Sequence, residues 1–357
     1  MKIENKITEL PELIYNKKDP GFGVVQVPVM LSYDINQIEP TPKVMVIHET
    51  KNLSLSPFTS SLHYGQSIFE GLKVYRVNNE QVAVYRLRDH IKRFNQSAKI
   101  MCMPQIDEEV LYQACIKYIE TVKSYVPQEN KHSLYLRPVM FASDDAIKVK
   151  ISDNYKFLIL GSIVGDYFAG REDKRTKILA SKKYARAFKG GTGEAKTAAN
   201  YAISLPALRF ANQQGYQQVI YLDAETREYI EELGGMNFFW VEDNVLCTPI
   251  LSGQILHGIT RKSILEIAEI LNIPTDIRLI KLEELKRKTK SGDIKEIFAS
   301  GTAAVMTPID ELGLLNDDES IEKLEYSEFP IMEKIREYLF ATQAGNTEYS
   351  KTTLTYI

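Results

Sequence analysis

The sequence predicts an α+β protein built of two domains, and three observations carry that prediction. At 357 residues the chain exceeds what one hydrophobic core ordinarily serves. Hairpin-forming runs and amphipathic helices follow one another irregularly, without the strand–helix alternation of a doubly wound parallel sheet. A polar, turn-prone stretch at 166–175, containing GREDKR, falls near the middle. It divides the chain into a smaller first domain at 1–165, a linker at 166–175 and a larger second domain at 176–357.

The elements follow in order. After an irregular N-terminal segment, Val44 to His48 alternates like a strand. Leu72 to Val77 and Gln81 to Arg86 flank the turn residues Asn78 and Asn79, which predicts a hairpin. A helix runs from about Arg88 to Ile100 and stops before Pro104. Asp107 then caps a second helix, whose apolar residues Val110, Leu111, Ala114, Cys115, Tyr118 and Val122 keep a 3.6-residue spacing. Strands at Ser133 to Phe141 and Tyr155 to Val164 complete the first domain. The second opens with a helix from about Ala198 to Gln213. Strands follow at Gln218 to Leu222, Tyr229 to Glu232, Phe238 to Val241 and Val245 to Pro249. A helix after Thr260 buries Ile264, Ile267, Ala268 and Leu271, and the last helix spans about Phe329 to Gln343.

Bulk properties exclude several functions. A formal charge of -3 gives no reason to expect nucleic acid or an anionic membrane as partner. The densest basic run, Lys281 to Lys290, is broken by glutamates and reads as a solvated helix face. Cys102, Cys115 and Cys247 are far apart and odd in number, so neither a disulfide framework nor a CxxC site is expected. The five histidines, His48, His63, His90, His132 and His257, form no HExxH or HxxxH pair, which argues against a protein-ligated metal. The N-terminus lacks the apolar core of a signal peptide, and no apolar run is long enough to span a bilayer. A reducing cytosol is the expected location.

The most unusual stretch is KGGTGEAKTAANY, Lys189 to Tyr201. One lysine, Lys196, sits among Gly190, Gly191, Gly193, Ala195, Ala198 and Ala199. Small neighbours let a flat, bulky group lie against the backbone, and a dry setting favours the neutral amine. A neutral amine is what attacks a carbonyl to form an imine. The segment by itself leaves open a flexible surface loop with an ordinary lysine. It also approaches a phosphate-binding GxxxxGK[ST] loop. That motif needs glycine where this chain has Ala195, and a buried strand where it has YARAFK.

Three further features gain meaning if Lys196 holds pyridoxal phosphate. Gly258-Ile259-Thr260 opens a helix, where free N–H groups and the helix dipole favour an anion. Arg93, in RLRDHIKRF, offers a bidentate partner for a phosphate. Glu232, beside Gly234 and Gly235, offers a carboxylate to keep a pyridine nitrogen protonated, which makes the ring an electron sink. Taken singly, each has a plain reading: an ordinary helix start, a solvated arginine and a strand-end glutamate.

Together with six blocks in sequence order, these residues resemble the branched-chain aminotransferases, members of the fold type IV pyridoxal-phosphate enzymes. The blocks are SSLHYGQSIFEGLKVYR (60–76), LYLRP (134–138), GGTGEAKTAANY (190–201), EELGGMNFF (231–239), ILHGITR (255–261) and SGTAA (300–304). The resemblance runs from about Phe22 to the C-terminal helix and implies a smaller N-terminal domain and a larger C-terminal one with a barrel-like sheet. It implies that Lys196 is the Schiff-base lysine and carries the proton between the substrate Cα and the cofactor. Tyr201 matches the partner of the cofactor's phenolic oxygen, and Glu232 that of its ring nitrogen. Arg93, Ile259, Thr260 and Thr302 match the phosphate side.

The resemblance further implies an aromatic pocket of Tyr64, Phe69, Tyr135 and Tyr167 for an aliphatic chain, with Arg137 taking the glutamate side-chain carboxylate. Backbone amides of Thr302 and Ala303 would hold the α-carboxylate. The implied activity is reversible amino transfer from L-leucine, L-isoleucine or L-valine to 2-oxoglutarate, by a ping-pong mechanism in a homodimer. D-amino acid aminotransferase and aminodeoxychorismate lyase are the alternatives within the fold, and a non-catalytic cofactor-binding protein is a more distant one. Gly235 stands where some relatives have threonine, which leaves the local hydrogen-bond pattern open. SGTAA continues into Val305, Met306 and Thr307, without the paired cysteines of the mammalian enzymes.

Overall fold

Two sheets of ten strands each organise the chain. The computed structural model describes residues 1–16, 20–38, 44–78, 80–128, 132–165 and 176–357. Two compact units result: Met1–Ala169 with Ala195–Ala199 and Thr342–Ile357, and Gly170–Glu194 with Asn200–Ala341. The expected linker at 166–175 lies outside the described residues, as do Tyr167 and Asn79.

The first unit holds strands β1 (Lys2–Asn5), β2 (Val25–Gln26), β3 (Val29–Asn36), β4 (Val44–Glu49), β5 (Ser67–Phe69), β6 (Leu72–Arg76), β7 (Val82–Tyr85), β8 (Ser133–Ala142) and β9 (Asn154–Val164). They run in the order β1-β4-β3-β9-β8-β6-β7, closed by the C-terminal strand Leu354–Tyr356, with β2 against β9 and β5 against β8. Strand β8 carries the LYLRP block. Because side chains alternate along a strand, Tyr135 and Arg137 stand on one face, and Arg137 Nη2 donates to the Tyr135 hydroxyl at 3.0 Å.

Helices α2 (Leu87–Ile100) and α3 (Glu108–Val122) follow the sequence pattern, and a short α1 (Ser60–Tyr64) is additional. Asp107 caps α3, accepting from the backbone N–H of Glu109 and Val110 at 3.0 Å each. The 3.6-residue spacing buries Leu111, Ala114, Cys115, Tyr118, Ile119 and Val122. They join a core with Leu31, Phe94 and Phe157, in which each large aliphatic or phenyl side chain contributes about 1.5–3 kcal/mol by leaving water.

The second unit holds β10 (Lys177–Ala180), β11 (Gln218–Leu222), β12 (Ile230–Leu233), β13 (Asn237–Glu242), β14 (Val245–Thr248), β15 (Thr275–Ile277), β16 (Ile294–Gly301), β17 (Val305–Pro308), β18 (Glu311–Leu315) and β19 (Ile321–Glu325). The path is β15-β14-β13-β12-β11-β10-β18-β19, with the β16–β17 hairpin branching from β13. Among the described residues the sheet is open and branched rather than a closed barrel. Around it lie α4 (Ala198–Ala202), α5 (Leu205–Gln213), α6 (Ile259–Ile270), α7 (Leu282–Ser291) and α8 (Pro330–Gln343). Among the described residues no helix is long and apolar enough to cross a membrane.

Several expectations change here. The helix expected over Ala198 to Gln213 is two helices, α4 and α5. Pro206 cannot donate the hydrogen bond a continuous helix requires, and it fits the first turn of a new one. The segment expected to be irregular before Val44 contains β1, β2 and β3. Leu271 is the half-buried cap residue after α6 rather than a buried helical one. Strands β16 to β19 are additional.

Candidate active site

In the first unit, Lys196 is anchored through its backbone. Its N–H donates to Ser97 Oγ of α2 at 2.9 Å, and its carbonyl accepts from the Phe69 N–H at 3.0 Å. Thr197 Oγ1 donates to the Ser67 carbonyl at 2.7 Å, so the lysine segment runs along β5. Lys196 Nζ lies 4.9 Å from the centre of the Phe69 ring. The Arg137 guanidinium stacks on the same ring at 4.5 Å and over Tyr135 at 5.3 Å. Lys196 is half-buried, not sealed as the run of small neighbours predicts. Arg137 Nε is buried and has no hydrogen-bond partner among the described residues.

One residue from Phe69, Glu70 collects two basic side chains. Arg93 of α2 grips it with two bonds, Nε to Oε1 at 2.6 Å and Nη2 to Oε2 at 2.9 Å. His90 Nδ1 lies 2.7 Å from Oε2. Burial pushes the Glu70 carboxyl up, but Arg93 and His90 outweigh it and hold the group well below the usual carboxylate range. Burial drives His90 down from its ordinary value despite the carboxylate beside it. Glu70 thereby fixes the direction of the Arg93 fork.

In the second unit, Asn237 links what the sequence lists separately. Its Nδ2 donates to Glu232 Oε2 and to the Leu256 carbonyl, both at 3.0 Å. Glu232 Oε1 accepts from the Leu256 N–H at 3.1 Å and pairs with Arg186 Nη2 at 2.5 Å. Asn237 Oδ1 packs against Gly258, the residue preceding α6, where a Cβ would stand 1.8 Å away. Only glycine permits that approach. The first turn of α6 has neither a capping side chain nor an acidic residue. It therefore retains the positive end that an anion complements.

Register brings the SGTAA block to the same place. Asn237 pairs with Ser300 across β13 and β16, and Thr302, Ala303 and Ala304 form the turn into β17. Val305, which follows, adopts φ 58, a conformation β-branched residues rarely hold and one that concentrates at functional turns. Ser300 Oγ is buried without a hydrogen-bond partner among the described residues. Tyr201, at the end of α4, faces Gly235. A Cβ on that glycine would meet its ring at 3.6 Å, an ordinary contact, so space does not demand glycine there.

Residues 67–312 match the Amino-transferase class IV family. The chain belongs to the class IV aminotransferases. A Bacillus subtilis relative, branched-chain-amino-acid transaminase 1, is 40% identical over 87% of this chain and 88% of its own length. Among solved structures, a branched-chain aminotransferase from the archaeon Thermoproteus uzoniensis, determined with norvaline, has a TM-score of 0.74 and 29% identity, covering 92% of this chain and 99% of the other. A T.th. branched-chain amino acid aminotransferase with pyridoxamine 5'-phosphate has a TM-score of 0.71 at 27% identity, covering 87% and 95%.

Within this class IV aminotransferase, the first unit assembles Phe69, Arg93, Tyr135, Arg137 and Lys196. The second gathers Tyr201, Glu232, Ile259, Thr260, Thr302 and Ala303 around Asn237 and Gly235. Tyr64 stands apart, exposed at the end of α1 beside His63. Sequence reasoning missed Arg186, Glu70 and Asn237. The first lies in YARAFK, where its charge only disqualifies a strand. The other two lie inside quoted blocks, where only long-range partners reveal what they do.

Proposed function

We propose that this aminotransferase moves the amino group of L-leucine, L-isoleucine or L-valine to 2-oxoglutarate, using pyridoxal 5'-phosphate. The observation that carries this reading is the wall beside Lys196: an aromatic ring, Phe69, with one guanidinium, Arg137, stacked on it. An aliphatic side chain packs on the ring, and a side-chain carboxylate finds the cation, which is what alternating branched-chain and glutamate substrates require. The family and the names of the relatives point the same way.

The residues present fit the cofactor. An uncapped helix start cradled by Gly258, a buried carboxylate and an amine on a fixed backbone are the donor set its phosphate, ring nitrogen and aldehyde require. When bound, pyridoxal phosphate supplies the carbonyl that carries the amino group and a ring that withdraws electrons from Cα. Lys196 would hold it and move the proton at Cα. Tyr201 would hold the phenolic oxygen and Glu232 the ring nitrogen. Arg93, with Ile259 and Thr260 through their backbone N–H groups and with Thr302, would hold the phosphate. Thr302 and Ala303 amides would orient the α-carboxylate. Phe69 and Tyr135, with Tyr167, would enclose the side chain, and Arg137 would receive the glutamate carboxylate.

The same reading makes the protein a cytoplasmic homodimer. Three unpaired cysteines agree with a reducing compartment. Exposed Phe58, Leu62 and Tyr64 lie near exposed Ile147, Val149 and Ile151, on segments joined by the Thr59–Asp145 bridge. A second copy would cover that apolar surface.

Initial rates over a matrix of L-leucine and 2-oxoglutarate test the proposal. A ping-pong enzyme gives parallel double-reciprocal lines; intersecting lines, or no glutamate formed, contradict it. Arg137→Ala should raise KM for 2-oxoglutarate by about ten- to a hundredfold, the loss of a charged hydrogen bond worth about 1.5–3 kcal/mol, and disturb L-leucine less. Equal losses would remove its selectivity role.

A further inference from the structure

Helix α2 starts on a residue ill suited to start one. Arg86, which precedes it, adopts φ 51, makes no side-chain capping bond and sets a cation at the positive end of the helix. A non-glycine residue keeps a left-handed backbone only where its surroundings dictate it. Here the surroundings include the C-terminal segment, which belongs to the first unit although it follows α8.

The contacts are specific. The Arg86 N–H donates to the Thr353 carbonyl at 2.7 Å. Its guanidinium is buried, lies over the Tyr349 ring at 5.5 Å, and donates to the Tyr349 hydroxyl. It also donates to Asp89 Oδ2 at 2.7 Å. Tyr349 is itself fixed: its carbonyl accepts from Thr353 Oγ1 at 2.7 Å, and the adjacent Ser350 Oγ donates to the Thr342 carbonyl at 2.9 Å. Beyond it, the strand Leu354–Tyr356 pairs with Tyr85, Val84 and Ala83 of β7, the residues that lead into Arg86. A buried guanidinium deprived of such partners is costly.

The same helix carries residues of the candidate site. His90, Arg93 and Ser97 stand four, seven and eleven residues beyond Arg86, a spacing that keeps them on one face. His90 and Arg93 meet Glu70, next to Phe69, and Ser97 Oγ accepts the Lys196 N–H. Eleven residues of helix span about 16 Å, and α2 contains neither the glycine nor the proline that would let it kink. The C-terminal segment therefore holds one end of a rod whose other end holds the Lys196 backbone.

We propose that Tyr349 is a positioning residue of the cofactor site: with the segment Tyr349–Ile357 it pins Arg86, and through α2 it sets Arg93 for the phosphate and Ser97 against the Lys196 backbone. The role rests on the reading of Arg93 and Lys196 as residues that hold pyridoxal phosphate. Coupling of this kind is reciprocal. Where the docked segment tightens cofactor binding, bound cofactor tightens the docking of the segment by the same factor.

Two measurements on the full-length protein test this. Tyr349→Ala should weaken binding of pyridoxal phosphate at least about fivefold. KM for L-leucine at saturating cofactor should stay unchanged, because Phe69, Tyr135 and Arg137 stand on β5 and β8 rather than on α2. Tyr349→Phe, which keeps the ring over Arg86 and loses the hydroxyl, should lose less affinity than Tyr349→Ala. Unchanged affinity in Tyr349→Ala, or a loss matched by an equal rise in KM, overturns the proposal. Should Tyr349→Ala fail to fold, amide hydrogen exchange of the wild type decides. Cofactor should slow exchange over residues 350–357 at least about fivefold and leave β1, at the opposite edge of the same sheet, unaltered. Equal exchange with and without cofactor, or equal slowing at both edges, overturns it. Failure of the wild type to bind pyridoxal phosphate is a distinct result, which overturns the underlying cofactor reading and this proposal with it.

Discussion

Lys196 is rooted through its backbone, by Ser97, Phe69 and the neighbouring Thr197. A lysine that attaches to a cofactor and then carries a proton needs such a fixed root with a flexible stem. Lys196→Ala is expected to abolish the visible absorption of lysine-bound cofactor and to lower turnover by about 10²–10⁴-fold. A surviving band in the absorption spectrum would mean that another lysine holds the group. In the sequence this lysine stands out by the small residues around it. Asn237 and Arg186 do not, because their meaning lies in contacts with Leu256, Gly258, Gly193 and Gln254. Those contacts span between 7 and 68 residues of chain.

At the scale of elements, the start of α6 depends on Gly258 sitting against Asn237. Gly258→Ala sets a methyl 1.8 Å from Asn237 Oδ1, so the helix start or the amide must shift. The expected outcome is cofactor affinity weakened at least about tenfold, about 1.4 kcal/mol, with the circular dichroism spectrum unchanged; unaltered affinity would show that α6 does not hold the phosphate. Elements with clean periodicity, such as α2, α3 and β8, were legible to within one or two residues. Strand β16 was not, since Lys295 and Glu296 break its apolar pattern. Glu296 is nonetheless buried, because it accepts from the backbone N–H of Ile331 and Met332 at the start of α8, at 3.0 and 2.9 Å. The α4–α5 break was present in the sequence as Pro206, but the apolar pattern on both sides obscured it.

For the whole molecule, the buried Glu70–His90–Arg93 cluster predicts loss of stability in mild acid. His90 lies below its ordinary value of 6.5 and Glu70 below 4.5 in the folded chain. In both cases the unfolded chain takes up a proton that the folded chain refuses. The stabilisation is therefore complete above 6.5, erodes as pH falls below it through His90, and erodes further below 4.5 through Glu70, each by up to about 1.4 kcal/mol per pH unit. Urea midpoints between about pH 7 and about pH 4 should fall accordingly, and His90→Gln should flatten the upper part of the fall. A flat wild-type midpoint would contradict this. The two-unit α+β architecture was legible from length and pattern. The branching of the β16–β17 hairpin from β13 was not, because strand order depends on pairings between residues about 60 apart in sequence, as Asn237 with Ser300.

If Lys196 and its surroundings perform amino transfer on branched-chain L-amino acids, half of the reaction proceeds without an acceptor. The most direct test mixes the cofactor-loaded protein with L-leucine and no acceptor, and follows the absorption spectrum through a single half-reaction. The band of lysine-bound cofactor should give way to that of the pyridoxamine form, and 2-oxoglutarate should then restore it. No change with L-leucine, alongside a change with D-alanine, would contradict amino transfer on branched-chain L-amino acids.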